Sequence, residues 1–290
     1  LAVEPPASRF SPDGNLEIQV DQSGLAVGSY EGTITITDEE HPGPPVTVSV
    51  TLNVTESGPG GEAPLITREG VVNGANLTSG RIAPGSFVTV FGQNLATTTA
   101  QADTFPLPTK LGGSEVIFNG VAAPLLYVSP TQINFQAPAE TYSGRGGVIV
   151  RTGFGQNLSL PIDVLHTAPE LFTMGERSAS ALNQDGSLNG PGNPASIGSI
   201  VTLFLTGQGP TEPHSASGWP APSDPLARVV SCTKAFVAGR EAEVQYLGLA
   251  PGFAGLAQAN IVIPSGLTGE LAVKVQVDDR DSNTAFIWVQ

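Results

Sequence analysis

The chain has 290 residues, 40% of them hydrophobic, and its 26 acidic and 12 basic side chains give a net charge of −14. So few basic residues leave no cluster that could neutralise a phosphate backbone, which argues against nucleic-acid binding. No run of 18 apolar residues occurs, so we predict no membrane-spanning helix.

The composition favours short strands joined by tight turns. The 35 glycines and 25 prolines interrupt the windows in which a 3.6-residue apolar period could build a long helix. We therefore predict an all-β chain of two or three domains. The single cysteine, Cys232, allows no internal disulfide, and we expect it to be a small buried hydrophobe.

Residues 1–56 contain three predicted strands, at 15–21, 29–37 and 46–55. In the last of them apolar and polar side chains alternate, which is typical of a strand with one face on a core. Three or four strands make only half a sandwich and would expose an apolar face and unpaired edges. Either Leu1 is a fragment boundary or processed terminus of a longer chain, which we favour, or strands of another molecule complete the sheet.

Two stretches of this segment carry a resemblance to a known family. They are VDQSGLAVGSYEGTITIT, residues 20–37, and PPVTVSVTLNV, residues 44–54. Both resemble the later strands of the BACON domain, an immunoglobulin-like bacterial module. The resemblance implies a partial BACON-like immunoglobulin-like domain over residues 1–56.

The rest of the chain repeats itself after a Gly- and Pro-rich linker at residues 57–64. Residues 115–138 return in altered form as 235–264. The first copy has a hairpin with Asn119-Gly120 at its turn, the dipeptide that most readily adopts a type I′ turn, and the second has Gly239-Arg240 there. Each copy then closes with a strand of alternating polar and apolar residues.

The duplication predicts two β-sandwiches, over residues 65–167 and 168–290. Together with the partial first domain, the predicted fold is all-β, with three tandem immunoglobulin-like β-sandwiches of which the first is incomplete.

The repeated part also resembles the Solibacter-type uncharacterised C-terminal domain family. The motifs that carry this resemblance are GVVNGANL (70–77), APGSFVTVFGQNL (83–95), ALNQDGSLNGPGNPA (181–195), TGQGP (206–210) and GLAPGFAGLAQANIVIP (248–264). Each copy further looks like the IPT/TIG immunoglobulin-like fold through its hairpin and its closing strand that ends in proline. The resemblance implies export, a place in modular surface or secreted bacterial proteins and no established catalytic activity, so no catalytic residues are carried over.

The residues that support catalysis are scarce. The three histidines, His41, His166 and His214, are spread over the three predicted domains, and no G-x-S-x-G nucleophile motif occurs. One cysteine and scattered histidines also leave a zinc site without ligands. We predict that the chain is not an enzyme.

Two acidic loops are weak candidates for calcium. Asp185 and Asn189 lie within NQDGSLN, and Asp278, Asp279 and Asp281 lie within DDRDSN. Oxygen side chains at alternate positions resemble part of an EF-hand loop, but the bidentate glutamate at the twelfth position is absent. The alternative, which we favour, is that these residues form hairpin turns by bonding their own backbone.

Trp219 is the candidate ligand-binding residue, since an indole can stack on a sugar ring, although capping the edge of a sandwich is the favoured alternative. The predicted function is that of an exported structural or adhesive module of a bacterial surface or secreted protein. In a sharper form of this hypothesis, copies of the chain associate head to tail by strand complementation. The other expected partners are neighbouring domains of a longer chain. The alternative is a carbohydrate-binding appendage of a larger secreted enzyme, with glycans as partners.

Overall fold

The computed structural model describes residues 25, 26, 28–37, 44–54 and 61–290. The chain divides into two compact units, Leu1–Gly58 and Pro59–Gln290. Every regular element in the described part is a strand, which confirms the all-β prediction, and none of its elements is a helix that could cross a membrane. The predicted strand at 15–21 lies outside the described residues.

The first unit contains an antiparallel pair of strands, β1 (Gly28–Ile36) and β2 (Val46–Val54). Both match the strands predicted at 29–37 and 46–55. Tyr30 faces Leu52 across the pair and Ile34 faces Val48, so aromatic and aliphatic side chains share one face. Val48 remains 43% exposed, so burial on this face is incomplete.

The first half of the second unit contains eleven strands. They are β3 (Leu65–Asn73), β4 (Phe87–Gln93), β5 (Ala100–Gln101), β6 (Lys110–Leu111), β7 (Ser114–Phe118), β8 (Val121–Ala122), β9 (Leu125–Ser129), β10 (Gln132–Gln136), β11 (Gly144–Thr152), β12 (Gly155–Gln156) and β13 (Leu160–Val164). One sheet has the order β3-β4-β10-β9-β5, and the other has β12-β11-β7-β6 with β13 on β11 and β8 on β7. We call this pair of sheets the first sandwich.

The core of the first sandwich lies between its two sheets. Val88, Ile133 and Phe135 come from one sheet, and Phe118 and Val150 come from the other; all are fully buried. The Phe118 and Phe135 rings meet with centroids 5.9 Å apart, a favourable tilted arrangement. The alternation of Gln132 to Gln136 therefore places its apolar residues in the core, as the period-2 pattern predicts.

The second half of this unit contains fourteen strands. They are β14 (Glu170–Leu171), β15 (Thr173–Met174), β16 (Ser178–Ala179), β17 (Ala181–Leu182), β18 (Ile200–Thr206), β19 (Thr211–Glu212), β20 (Arg228–Val229), β21 (Thr233–Val237), β22 (Arg240–Ala242), β23 (Val244–Leu249), β24 (Ala257–Val262), β25 (Gly269–Val277), β26 (Arg280–Asp281) and β27 (Ala285–Val289). The sheet orders are β14-β18-β24-β23-β20-β19 with β17 on β18, and β15-β16-β27-β25-β21-β22 with β26 on β25. We call this pair the second sandwich.

The second sandwich repeats the plan of the first around a separate core. Leu203 and Ile261 from one sheet pack with Val273 and Ile287 from the other. Strands β7 to β13 correspond in order and pairing to β21 to β27, and β4 corresponds to β18. The two cores support our proposal that residues 65–167 and 168–290 are separate domains.

The two equivalent hairpins differ at one turn position. In the first, Phe118 pairs with Val121, which leaves Asn119 (φ 50°) and Gly120 (φ 80°) in the turn. In the second, Val237 pairs with Arg240, so the turn residues are Ala238 (φ 50°) and Gly239 (φ 77°). The assignment of this turn to Gly239-Arg240 was therefore wrong by one residue, because alanine gives no signal of the left-handed conformation that it adopts here.

Cys232 is also placed differently from the expectation. It is exposed, not buried, because it lies in the connection between β20 and β21, before the residues of β21 that alternate into the core. Its carbonyl accepts a 2.8 Å hydrogen bond from the Asp278 N–H.

The two turns give a matched pair of stability predictions. An L-residue without a turn-forming side chain is disfavoured at positive φ, so Ala238→Asn should raise the free energy of unfolding by about 1 kcal/mol. Asn119→Ala should lower it by about 1–2 kcal/mol, since it also removes the 2.9 Å bond that the Asn119 carboxamide accepts from the Gly147 N–H. Urea unfolding followed by circular dichroism measures both, and shifts of the same sign would contradict the turn assignment.

Candidate functional site

The first acidic loop is closed by its own hydrogen bonds. Asp185 accepts bonds from the N–H (2.9 Å) and hydroxyl of Ser187, and these bonds lower the pKa of its carboxyl group. Asn189 is buried; it donates to the Asn183 side chain (2.9 Å) and to the Trp288 carbonyl (2.9 Å), and accepts from the Trp288 N–H (2.9 Å). The loop thus supports the turn interpretation, and calcium binding there stays a prediction.

The second acidic loop is a hairpin turn. Asp278 (φ 52°) and Asp279 connect the paired residues Val277 and Arg280. Asp281 accepts a 2.8 Å bond from the Gln276 side chain and has Lys274 Nζ at 3.7 Å. Among the residues that the structure describes, no group of three or more His, Cys, Asp or Glu side chains could hold a metal ion.

Trp219 lies on the surface beside the junction of the two sandwiches. The residue is 54% exposed, so its ring is accessible to solvent while the rest of its surface is covered, and both the capping and the ligand-binding interpretation stay predictions. The preceding residue, Gly218, is buried against the first sandwich, where its carbonyl accepts a 2.8 Å bond from the Leu107 N–H. The structure therefore holds Trp219 at an ordered, solvent-facing position.

The junction itself is built around a buried carboxylate that the sequence reasoning did not find. Glu170, 1% exposed, begins the second sandwich, and its side chain accepts bonds from Asn76 Nδ2 (2.7 Å) and the Asn283 N–H (2.8 Å). It forms an ion pair with Arg81 of the first sandwich. Burial raises the pKa of Glu170, and the Asn283 bond and the Arg81 charge oppose that effect without cancelling it.

Arg81 extends this contact. Its guanidinium also donates a 2.6 Å bond to the Asp281 carbonyl of the second sandwich. One arginine of the first sandwich therefore binds two separate segments of the second. A planar guanidinium with five donors suits this role, because it can bind several acceptors in fixed directions.

A second set of polar contacts crosses the junction elsewhere. The Gln136 side chain accepts a 2.8 Å bond from the Gly218 N–H, and the Glu140 carboxylate accepts bonds from the N–H (3.0 Å) and hydroxyl (2.6 Å) of Ser217. Partial burial raises the pKa of Glu140, but the Ser217 bonds outweigh it, and with a small contribution from His214, 3.9 Å away, the net pKa is lowered.

An aromatic contact accompanies these polar ones. The Phe87 and Phe172 rings, one from each sandwich, meet edge to face with centroids 6.3 Å apart. The Phe87 N–H also donates a 2.8 Å bond to the Thr206 hydroxyl. With Phe204 and Leu126 these rings line an open cleft of about 380 Å³.

A smaller cavity, of about 260 Å³, lies at the same junction. Its lining includes His166 and His214, so two of the three histidines approach one another more closely than their sequence positions suggest. It also includes Gln208, which is 2% exposed. His41 lies outside the described residues.

The sequence offered little signal for these residues. Glu170 is the one charged residue in APELF, residues 168–172, and an isolated acid in an apolar run is a usable sign of a buried, paired carboxylate. Arg81 and Gln208 have no such local sign, because their partners or cavity come from residues far away in the chain.

Comparison with known families identifies one part of the chain. Residues 71–165 match the family model of the IPT/TIG domain. This domain is immunoglobulin-like and coincides with the first sandwich, so that part of the predicted resemblance is confirmed. The BACON-like and Solibacter-type resemblances remain predictions. A comparison with curated proteins found no match.

Several solved structures are similar to the chain at low identity. One is the mixed-linkage glucan utilization locus SGBP-B of Bacteroides ovatus, in complex with a mixed-linkage heptasaccharide, at 10% identity and a TM-score of 0.33; the match covers 92% of this chain and 54% of that one. Another is the gamma-CGTase of alkalophilic Bacillus clarkii, at 13% identity, a TM-score of 0.26 and coverage of 87% and 29%. A third is domains 4 and 5 of the S-layer protein SbsC, at 10% identity, a TM-score of 0.18 and coverage of 79% and 99%. The chain thus spans about half the length of the first of these.

Glu170 and Glu140, the two carboxylates at the junction, should change the stability of the protein in opposite directions as the pH rises. Because the folded-state pKa of Glu170 is raised, its contribution to stability is greatest below its ordinary value of 4.5 and declines as the pH rises through the raised pKa. The Glu140 contribution is present above 4.5 and is lost as the pH falls through its lowered pKa.

Urea unfolding of the wild type, Glu170→Gln and Glu140→Gln between pH 3 and pH 7 measures these trends. Compared with Glu170→Gln, the wild type should lose stability as the pH rises above about 4.5. Compared with Glu140→Gln, the wild type should lose stability as the pH drops below about 4.5. Parallel pH curves for all three proteins would contradict the burial of Glu170.

Proposed function

We propose that the chain is a non-enzymatic structural module whose two sandwiches act as one rigid spacer. The observation that carries this proposal is the buried Glu170 of the second sandwich, which bonds to Arg81 and Asn76 of the first. Removing one partner of a buried ion pair leaves an uncompensated charge, so bending at this junction is costly. A fixed angle between domains is what a spacer requires.

The connection between the sandwiches supports the same proposal. Five residues separate the end of β13 at Val164 from β14 at Glu170. Of these, Thr167 and Ala168 are 1% and 0% exposed, and Ala168 is bound to Gly207 through a 2.8 Å backbone hydrogen bond. A flexible linker would lie exposed on the surface, whereas the last three residues of this connection, 167–169, are buried.

We propose further that this spacer works outside the cell, as part of a bacterial surface or secreted protein. The IPT/TIG domain and the resemblances noted in the sequence support this location. The acidic charge of −14 fits a surface that stays soluble and avoids self-adhesion by repulsion. Proteolytic shaving of intact cells that carry the natural full-length protein tests it, since an internal protein would resist the protease.

The spacer proposal predicts a narrow distance distribution between the sandwiches. The exposed native Cys232 and an Arg145→Cys substitution on β11 provide one spin-label site on each sandwich. Electron–electron double resonance should show one sharp distance. The combined Glu170→Ala and Gln136→Ala substitutions, which remove contacts worth about 2–3 kcal/mol, should broaden it.

The matched control for this experiment is Arg68→Ala. Arg68 pairs with Asp163 within the first sandwich, and both side chains are more than half exposed. Exposed pairs contribute about 0–1 kcal/mol, so the distance distribution should not change. A broad distribution already in the wild type would contradict the rigid spacer.

Head-to-tail assembly by strand complementation is a further proposal for the first unit. In the part of this unit that the structure describes, β1 and β2 pair only with each other, and an isolated two-stranded sheet is marginally stable. Val46 is 61% exposed on this pair. Sedimentation of the chain over a range of concentrations tests the proposal, because assembly requires the mass to rise with concentration.

Carbohydrate binding is the second candidate function, and the exposure of Trp219 favours it. Indole rings that face solvent from an ordered position are suited to stacking on the apolar face of a sugar. On a glycan array the wild type should bind, and Trp219→Ala should lose most of its signal. The half-buried Trp288 in β27 provides the comparison: Trp288→Phe should leave binding unchanged.

A further inference from the structure

Gln208 carries a buried polar atom that no partner satisfies. Its side chain lines the cavity of about 260 Å³ at the junction, and its Oε1 is buried without a hydrogen bond in the described part of the chain. Buried amides are nearly always bonded, so an orphan acceptor beside a cavity marks a place where a ligand donor can bind. The nearby Gln136, by contrast, bonds to Gly218 and to the Gly85 carbonyl (3.4 Å).

The position of Gln208 is fixed by its backbone. The preceding residue, Gly207 (φ 80°), packs so closely that an added Cβ would lie 1.8 Å from the Ala168 carbonyl oxygen. The following residue, Gly209, also has positive φ (77°) and would meet Thr167. Glycine at both positions lets the backbone pass close to its neighbours and fixes it on either side of Gln208. The unpaired oxygen is therefore not the result of a loose loop.

The cavity offers many side chains that can form hydrogen bonds. Its lining includes hydroxyl groups of Thr141, Ser143, Thr211 and Ser215, two imidazoles and the Gln208 amide, and it contains no Lys, Arg, Asp or Glu. Tyr142, 82% exposed, stands at its edge with a ring that a ligand can contact. The carboxylate beside the lining, Glu140, lies 3.9 Å from His214 and already accepts two bonds from Ser217. A ligand with several hydroxyl groups therefore finds more partners in this cavity than a charged ligand does.

We propose that this cavity binds one ring of a neutral saccharide, with a sugar hydroxyl donating to Gln208 Oε1. A volume just below the usual range of drug-sized sites, about 300–1,000 Å³, suits a single ring rather than a longer segment. The Tyr142 ring then contacts the sugar at the open side. This inference rests on carbohydrate binding as the second proposed function and is independent of the spacer role.

The test uses the whole chain and a panel of neutral methyl glycosides, those of glucose, galactose, mannose and N-acetylglucosamine, at millimolar concentrations. Saturation-transfer NMR detects binding, and thermal unfolding reports stability. The variants are Gln208→Met, which keeps the length of the side chain without its polar atoms, and Gln93→Met. Gln93 is the matched control, because it follows Gly92 as Gln208 follows Gly207 but is exposed on the first sandwich.

The proposal predicts opposite effects of Gln208→Met on stability and on binding. Without sugar, the variant should melt about 2–4 °C higher than the wild type, because the substitution removes an unpaired buried oxygen. Its affinity for the glycoside that the wild type binds should fall about tenfold or more. Gln93→Met should change neither quantity.

The other outcomes distinguish failure of the Gln208 cavity proposal from failure of carbohydrate binding as a function. Binding that survives Gln208→Met but is lost in Trp219→Ala would overturn the cavity proposal and leave carbohydrate binding in place. No binding of any glycoside by the wild type, together with a silent glycan array, would overturn both. A lower melting temperature of Gln208→Met would show that Oε1 has a partner within the protein and would also overturn the cavity proposal.

Discussion

The junction between the two sandwiches depends on one carboxylate that is kept away from water. Glu170 is the second-sandwich side of a contact to which the first sandwich contributes Arg81 and Asn76. A buried charge is tolerated only where donors surround it, so the sandwiches satisfy this group together and neither can do so alone. The aromatic pair Phe87–Phe172 and the buried connection through Thr167 then add apolar burial to a geometry that the polar contact has already specified.

The two sandwiches share one strand plan and differ in their polar faces and crossing loops. Their core-forming strands have the same pairing, because a period-2 pattern with one face buried tolerates few shifts in register. Gln136 at the end of β10 and Gln208 just after β18 both line the smaller cavity at the junction. The Gln136 side chain bonds to Gly218 of the second sandwich and to Gly85 of its own, whereas Gln208 Oε1 has no hydrogen bond in the described part of the chain.

The strands could be predicted from the sequence, and the junction could not. Strict alternation predicted β2 to within one residue and β10, expected over residues 132–138, to within two, because local patterning decides which face of a strand is buried. The turn at Ala238 was missed, since the positive φ there is imposed by strand register and not by the residue. Glu170 and Arg81 are 89 positions apart in the sequence, and their pairing follows from how two finished domains pack, which no local pattern encodes. Asp278, Asp279 and Asp281 show the opposite case. Their spacing in the sequence suggested a calcium site, whereas in the structure Asp278 and Asp279 form an ordinary hairpin turn.

The carboxamide of Asn189 joins its loop to the last strand. It both donates to and accepts from the backbone of Trp288, and the Ala195 N–H donates a further 2.8 Å bond to the same Trp288 carbonyl. Together with the pairing of β16 and Phe286, these bonds occupy the side of β27 that does not pair with β25. The last strand is therefore covered by other segments of its own chain, which is one way in which natural sheets avoid pairing with a foreign strand.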